Sequence, residues 1–214
     1  MIRKHTCHQR FMSPLYKIMK ALLPQTLVIL FSTIVSYAET KVPSVYWQVT
    51  TAVLAAQESE RDNATVMGYR SDGTLDILRQ GSNELICLAD DPNKKGFSVA
   101  CYHKSLEPFM QRGRDLRKAG KTEKEIFELR EEEAKSGTLE MPERALLAVL
   151  TGEVNEETQE IENKFLRWVF YIPFATPETT GLPLAPQIPG GPWIMNPGTH
   201  RAHIMITPPK NKAK

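Results

Sequence analysis

The residues best able to do chemistry near the C-terminus are His200 and His203, an H-x-x-H pair. On a helix that spacing puts both rings on one face, where they could share a zinc ion; on a strand it sends them to opposite faces. Pro197-Gly198 before the pair and Ile204-Met205-Ile206 after it predict loop, then strand. His203 is therefore expected in the strand, His200 at its mouth, and the pair is expected not to chelate. A metal site would have to recruit His103, with Glu107 or Asp90 as carboxylates. A metal-dependent hydrolase using His103, His200 and His203 is thus the alternative reading, and ordinary hydrogen-bonding histidines the preferred one.

Cys87 and Cys101 are a second constellation, separated by thirteen residues and without C-x-x-C spacing. In an oxidising compartment they are expected to form a disulfide, which closes a loop worth about 3 kcal/mol in the chain-entropy model. Asp91, Asn93 and Gly96 fall at the first, third and sixth positions of a calcium loop, but Lys95 stands at a ligand position and Tyr102 replaces the closing glutamate. G-x-S-x-G, H-E-x-x-H, P-loop and G-x-G-x-x-G motifs are absent from the sequence. No motif calls for a cofactor, and none names a reaction.

Composition explains where such residues would work. Residues 1–38 have the pattern of a secretory signal peptide: Arg3, Lys4, Arg10, Lys17 and Lys20 without an acid, then an apolar stretch densest from Leu27 to Val35, then Ser36-Tyr37-Ala38. The apolar stretch falls short of the roughly 20 residues of a membrane span. This segment holds five of the 27 Lys and Arg and none of the 25 Asp and Glu, so its removal turns a net charge of +2 into −3, with 22 basic residues against 25 acids. The basic excess belongs to targeting, so composition supplies no argument for nucleic acid as a partner. The expected product is secreted or periplasmic, not inserted in the membrane after cleavage, and folded as one domain over 39–209 with a flexible basic tail, 210–214.

The elements that must position these residues follow from periodicity. A helix is expected over 44–60, with Ser44 as cap and Val45, Val49, Ala52, Val53 and Ala56 as its inward stripe. Four strands, 65–70, 74–79, 84–88 and 97–103, separated by Ser71-Asp72-Gly73, Gly81-Ser82-Asn83 and the loop 89–96, predict an antiparallel meander. Two helical pieces broken near Gly120 are expected over 105–136, the first capped by Ser105, the second opened by the Thr122/Glu125 capping box and presenting a solvated face with a Glu131–Lys135 pair. Residues 144–150 suit either a buried strand or a helix. Strands are expected at 168–174 and 203–207, with a brief pairing at 193–195 and a long Pro/Gly loop over 175–199. The fold class is α+β, an antiparallel sheet packed by helices.

Ala64-Thr65-Val66-Met67, Leu78-Arg79-Gln80-Gly81-Ser82-Asn83, Cys87-Leu88-Ala89-Asp90-Asp91-Pro92 and, near the end, Gly191–Thr199 with Ala202-His203-Ile204-Met205 resemble a group of exported bacterial proteins of unknown function. The resemblance covers about half of the chain after the signal, in patches, and the charged segment 112–135 departs from it. It implies export and a cysteine pair and carries no catalytic residues. The expected role is non-catalytic binding of a small molecule or an envelope protein, with Trp168, Trp193, His200, His203 and the loop 175–199 as the candidate binding surface.

Overall fold

Ser44 accepts a hydrogen bond from the Trp47 amide at 3.2 Å and starts helix α1, Val45–Ala52. The helix is shorter than expected. The chain tightens into a 3₁₀ turn, Val53–Ala55, extends at Ala56, and makes another 3₁₀ turn at Glu58–Glu60. Arg61 rewards this break, because its guanidinium donates to the Ala56 and Leu54 carbonyls at 3.1 and 3.5 Å. Small side chains at 52, 55 and 56 let the backbone lie directly on the sheet. The computed structural model describes residues 42–209; the expected signal peptide, residues 39–41 and the basic tail 210–214 lie outside the described residues.

The strands are β1 (Thr65–Tyr69), β2 (Leu75–Arg79), β3 (Leu85–Leu88), β4 (Phe97–His103), β5 (Ala145–Val154), β6 (Ile161–Tyr171), β7 (Trp193–Met195) and β8 (His203–Ile206). Their order in the single eight-stranded sheet is β2-β1-β3-β4-β5-β6-β8-β7. The expected meander is corrected at its start, because β3 lies parallel to β1 on the side away from β2. The link between β2 and β3 passes beneath the beginning of β1, where the Ser82 and Asn83 amides donate to the Asn63 carbonyl at 2.8 and 3.0 Å. A Cβ on Gly81 would stand 2.3 Å from backbone atoms of residues 63–65. The glycine that reads as a turn signal is therefore a close backbone crossing. Residues 144–150 resolve as strand, and the polar stretch 153–164 forms the tip of the long β5–β6 hairpin.

Helices cover both faces. α1 and its 3₁₀ continuation lie over Val66, Cys87, Val99, Cys101, Ala148 and Leu150. Gln48 is buried there and fully used: its amide nitrogen donates to the Pro43 and Tyr69 carbonyls, and its oxygen accepts from the Tyr69 amide at 2.7 Å. The opposite face, with Tyr102, Leu147, Val169 and Tyr171, is covered by helix α2, Glu107–Lys118. Helix α3, Glu123–Ser136, returns beside it after the expected Thr122/Glu125 capping box. Ser105 does not cap α2; it lies in a 3₁₀ turn, Lys104–Leu106, and its amide donates to His103 Nδ1. The loop 175–199 is tied down by a four-residue helix α4, Pro177–Thr180, by backbone bonds such as Ile194 to Pro183 and Gly198 to Ala175, and by a small core of Ala175, Ile194 and Ala202.

Cys87 and Cys101 face each other directly across the β3–β4 ladder and form a disulfide. Their Cα atoms are 4.0 Å apart, closer than the usual range of about 4.4–6.8 Å, as directly opposed antiparallel residues allow. Among the described residues no helix is long and apolar enough to cross a membrane.

Candidate functional site

The face under α2 and α3 carries most of the buried polar chemistry. α3 turns Ile126, Phe127, Arg130 and Glu131 toward the rest of the protein, so its inner face is as much charged as apolar. Two ion pairs lace it to α2: Arg112 grips Glu133 through Nε and Nη2, and Arg117 grips Glu123 at 2.7 and 3.1 Å. Arg130 has no such partner. It is 5% exposed, its guanidinium lies 4.0 Å over the Phe109 ring, and Nη1 donates to the Phe109 carbonyl at 3.2 Å. Its Nε is buried without a hydrogen-bond partner. Burial, then the neighbouring Arg201, lowers its pKa to about 10. Gly113 makes the arrangement possible, because a Cβ there would stand 2.9 Å from Arg130 Nη1.

His200 sits in the turn before β8, as expected, but it is fully buried between the rings of Phe109 and Phe127. Glu131 Oε2 accepts from the His200 amide at 2.8 Å and from Nδ1 at 2.5 Å, while Oε1 holds Lys135 at 2.7 Å. The Glu131–Lys135 pair is therefore present, but the expected solvated face is corrected, since Glu131 anchors the C-terminal turn. Burial opposes ionisation of Glu131, yet Lys135 and then His200 outweigh it and hold the carboxyl at about 2. Burial lowers the pKa of His200, against the pull of Glu131. Facing a carboxylate oxygen, Nδ1 carries a proton, and Nε2 is buried without a hydrogen-bond partner.

The three histidines of the hydrolase reading occupy different environments. His203 begins β8, with its ring against Tyr171 and its Nδ1 donating to the Arg201 carbonyl at 2.6 Å. His103 pairs with Leu85 on the α1 face of the sheet, whereas His203 pairs with Tyr171 on the α2 face. Among the described residues no group of three or more His, Cys, Asp or Glu side chains could hold a metal ion. The two tryptophans are likewise separated by register: Trp168 pairs with Ile206, and Trp193 with Met205, its neighbour on the strand. Trp168 and His103 line a cavity of about 620 Å³ beside the 3₁₀ turn, on the α1 face.

A cavity of about 470 Å³ opens on the other face, between α2 and the sheet. Its floor is Tyr69, Leu88, Ser98, Ala100 and Tyr171, and its roof includes Phe109 and Met110. Arg114, Arg117, Arg130 and Arg201 line it, with Asp90, Asp91, Lys94 and Lys95 at the rim. Glu107 neutralises Arg114, Glu123 neutralises Arg117, and Asp91 holds Lys94 at 3.2 Å. Arg130 and Arg201 have no carboxylate within 4.0 Å among the described residues. Sequence reasoning missed these arginines. The legible signal was Gly113 in the middle of a helix whose Phe109 and Leu116 face inward, a position where glycine is unfavourable unless something packs against it. Compared with known proteins, the chain matches no family model, no curated protein and no solved structure.

Proposed function

We propose that this chain is an exported, non-catalytic binding protein whose ligand is a small organic anion held between α2 and the sheet. The observation that carries the reading is Arg130, a buried guanidinium without a carboxylate in the wall of a cavity large enough for a small molecule. An unpaired charge in such a place costs several kcal/mol. Contact with the Phe109 ring returns about 2 kcal/mol of that, and the bond to the Phe109 carbonyl a further part, while Nε stays without a partner. An anion would return more, and it would also relieve the repulsion from Arg201. Tyrosine, phenylalanine and methionine walls suit a ligand with an apolar body. Export rests on the signal-like segment, the paired cysteines and the resemblance to exported bacterial proteins.

Protein recovered from the exported fraction of cells expressing the full chain tests both parts. Terminal sequencing should find a start near Glu39; an intact Met1 would refute cleavage. At constant ionic strength, phenylacetate should raise the thermal midpoint, whereas its neutral isostere phenylacetamide should not. Ligand at a hundred times Kd stabilises by about 2.7 kcal/mol. The shift should vanish in Arg201→Gln. An equal shift with the amide, or an undiminished one in Arg201→Gln, would refute anion binding at this site.

A further inference from the structure

The same cavity has a second end, where Asp90 and Asp91 stand with Lys94 and Lys95. Asp90 is half-buried, and its Oδ1 accepts from the Ser98 amide at 2.8 Å. No lysine or arginine lies within 4.0 Å of it among the described residues, since Lys94 is bound to Asp91. Strand register places the two ends far apart. Ser98, beside Asp90, pairs with Thr151, and Tyr171, beside His203 and the Arg201 turn, pairs with Ala145. Those partners are six residues apart on β5, about 20 Å of strand. The cavity is therefore long for its volume, with a carboxylate free of a direct ion pair, Asp90, at one end and guanidiniums free of one, Arg130 and Arg201, at the other.

Resting on the anion-binding reading, we infer that the ligand is a short linear peptide with free ends, its carboxylate at Arg130 and Arg201 and its amine at Asp90. A single small anion would satisfy one end and leave Asp90 unanswered. A polyanion would meet repulsion from Asp90. An extended peptide advances about 3.3 Å per residue, so about 20 Å sets an upper limit of about six residues, and a tetrapeptide of about 13 Å lies within it. The apolar floor and roof accept side chains without demanding particular ones. Arg130 supplies a fixed, planar donor for the carboxylate, held by Phe109 beneath it and by the gap at Gly113 beside it.

Calorimetry on the exported protein with tetraalanine, its N-acetyl form and its C-terminal amide tests the inference. The free peptide should bind, and each cap should weaken it about tenfold or more, as loss of a charged hydrogen bond does. The acetyl penalty should disappear in Asp90→Asn, and the amide penalty in Arg130→Met. Should Arg130→Met fail to fold, Arg201→Gln carries the same test from a less buried position. N-acetyl tetraalanine binding as tightly as the free peptide would overturn the dipolar ligand and leave anion binding intact. Phenylacetate binding without any tetraalanine binding would do the same. Failure of both probes would overturn both readings.

Discussion

Two buried nitrogens without partners, Arg130 Nε and His200 Nε2, flank the same ring, Phe109. They differ in what they contribute. Arg130 remains charged and faces a cavity, so its missing partner points to a ligand. His200 is completely enclosed, so its role is structural: it lets Glu131 hold the C-terminal turn against α3. The groups acting on the ring are Glu131, Arg130 and Arg201, with Lys135 bound to the far side of Glu131. The His200 pKa is lowered mainly by burial, and so is that of His203. A histidine whose pKa is depressed in the folded state contributes stability above its unfolded value of about 6.5, and that contribution is lost as pH falls below it. Urea unfolding between pH 7.5 and 5.5 should show stability declining on acidification. His200→Asn should be less stable at pH 7.5 by roughly 1–3 kcal/mol and should lose part of the slope, with the His203 share remaining. An unchanged slope would show that His200 does not titrate with unfolding.

At the scale of the element, α2 is the informative one. Glycine inside a helix costs about 1 kcal/mol relative to alanine, so Gly113→Ala on a free surface would stabilise the protein by that amount. Here the new methyl would stand 2.9 Å from Arg130 Nη1 and 3.4 Å from its Cζ. The guanidinium must shift from its place over Phe109 to accommodate it. The expected result is no net gain in the denaturation midpoint, together with loss of the phenylacetate-induced shift; a full gain with binding intact would show that Arg130 is not held in place by this gap. The capping box that opens α3 was readable because Thr122 and Glu125 act locally, three residues apart. The inner face of α3 was not, because Glu131 and Arg130 meet partners 69 and 21 residues away. Nothing local distinguishes a glutamate that binds a distant turn from one that binds water.

For the molecule as a whole, the disulfide joins two strands already paired in register, in the middle of the sheet. Cys87 is fully buried, so both the cross-link and its packing are lost on substitution. The double variant Cys87→Ala/Cys101→Ala should lower the unfolding free energy of the protein by about 3 kcal/mol, measured in urea. A loss below about 1 kcal/mol would mean that register alone holds β3 to β4. Local patterns along the chain specify the α+β class, most strand positions, the two helices around Gly120, the capping box and the cysteine pair. Each of these depends on periodicity, on a short-range cap or turn or, for Cys87 and Cys101, on Cys7 lying in the expected signal segment. Tertiary structure alone decided that Gly81 carries a crossing under β1 and that β3 runs parallel to β1. It also put Trp168 and Trp193 on opposite faces and left four arginines of three separate segments around one cavity. Pairing partners, sheet faces and shared cavities depend on which distant segments meet, and a single strand or helix presents the same local pattern whichever neighbour it finally packs against.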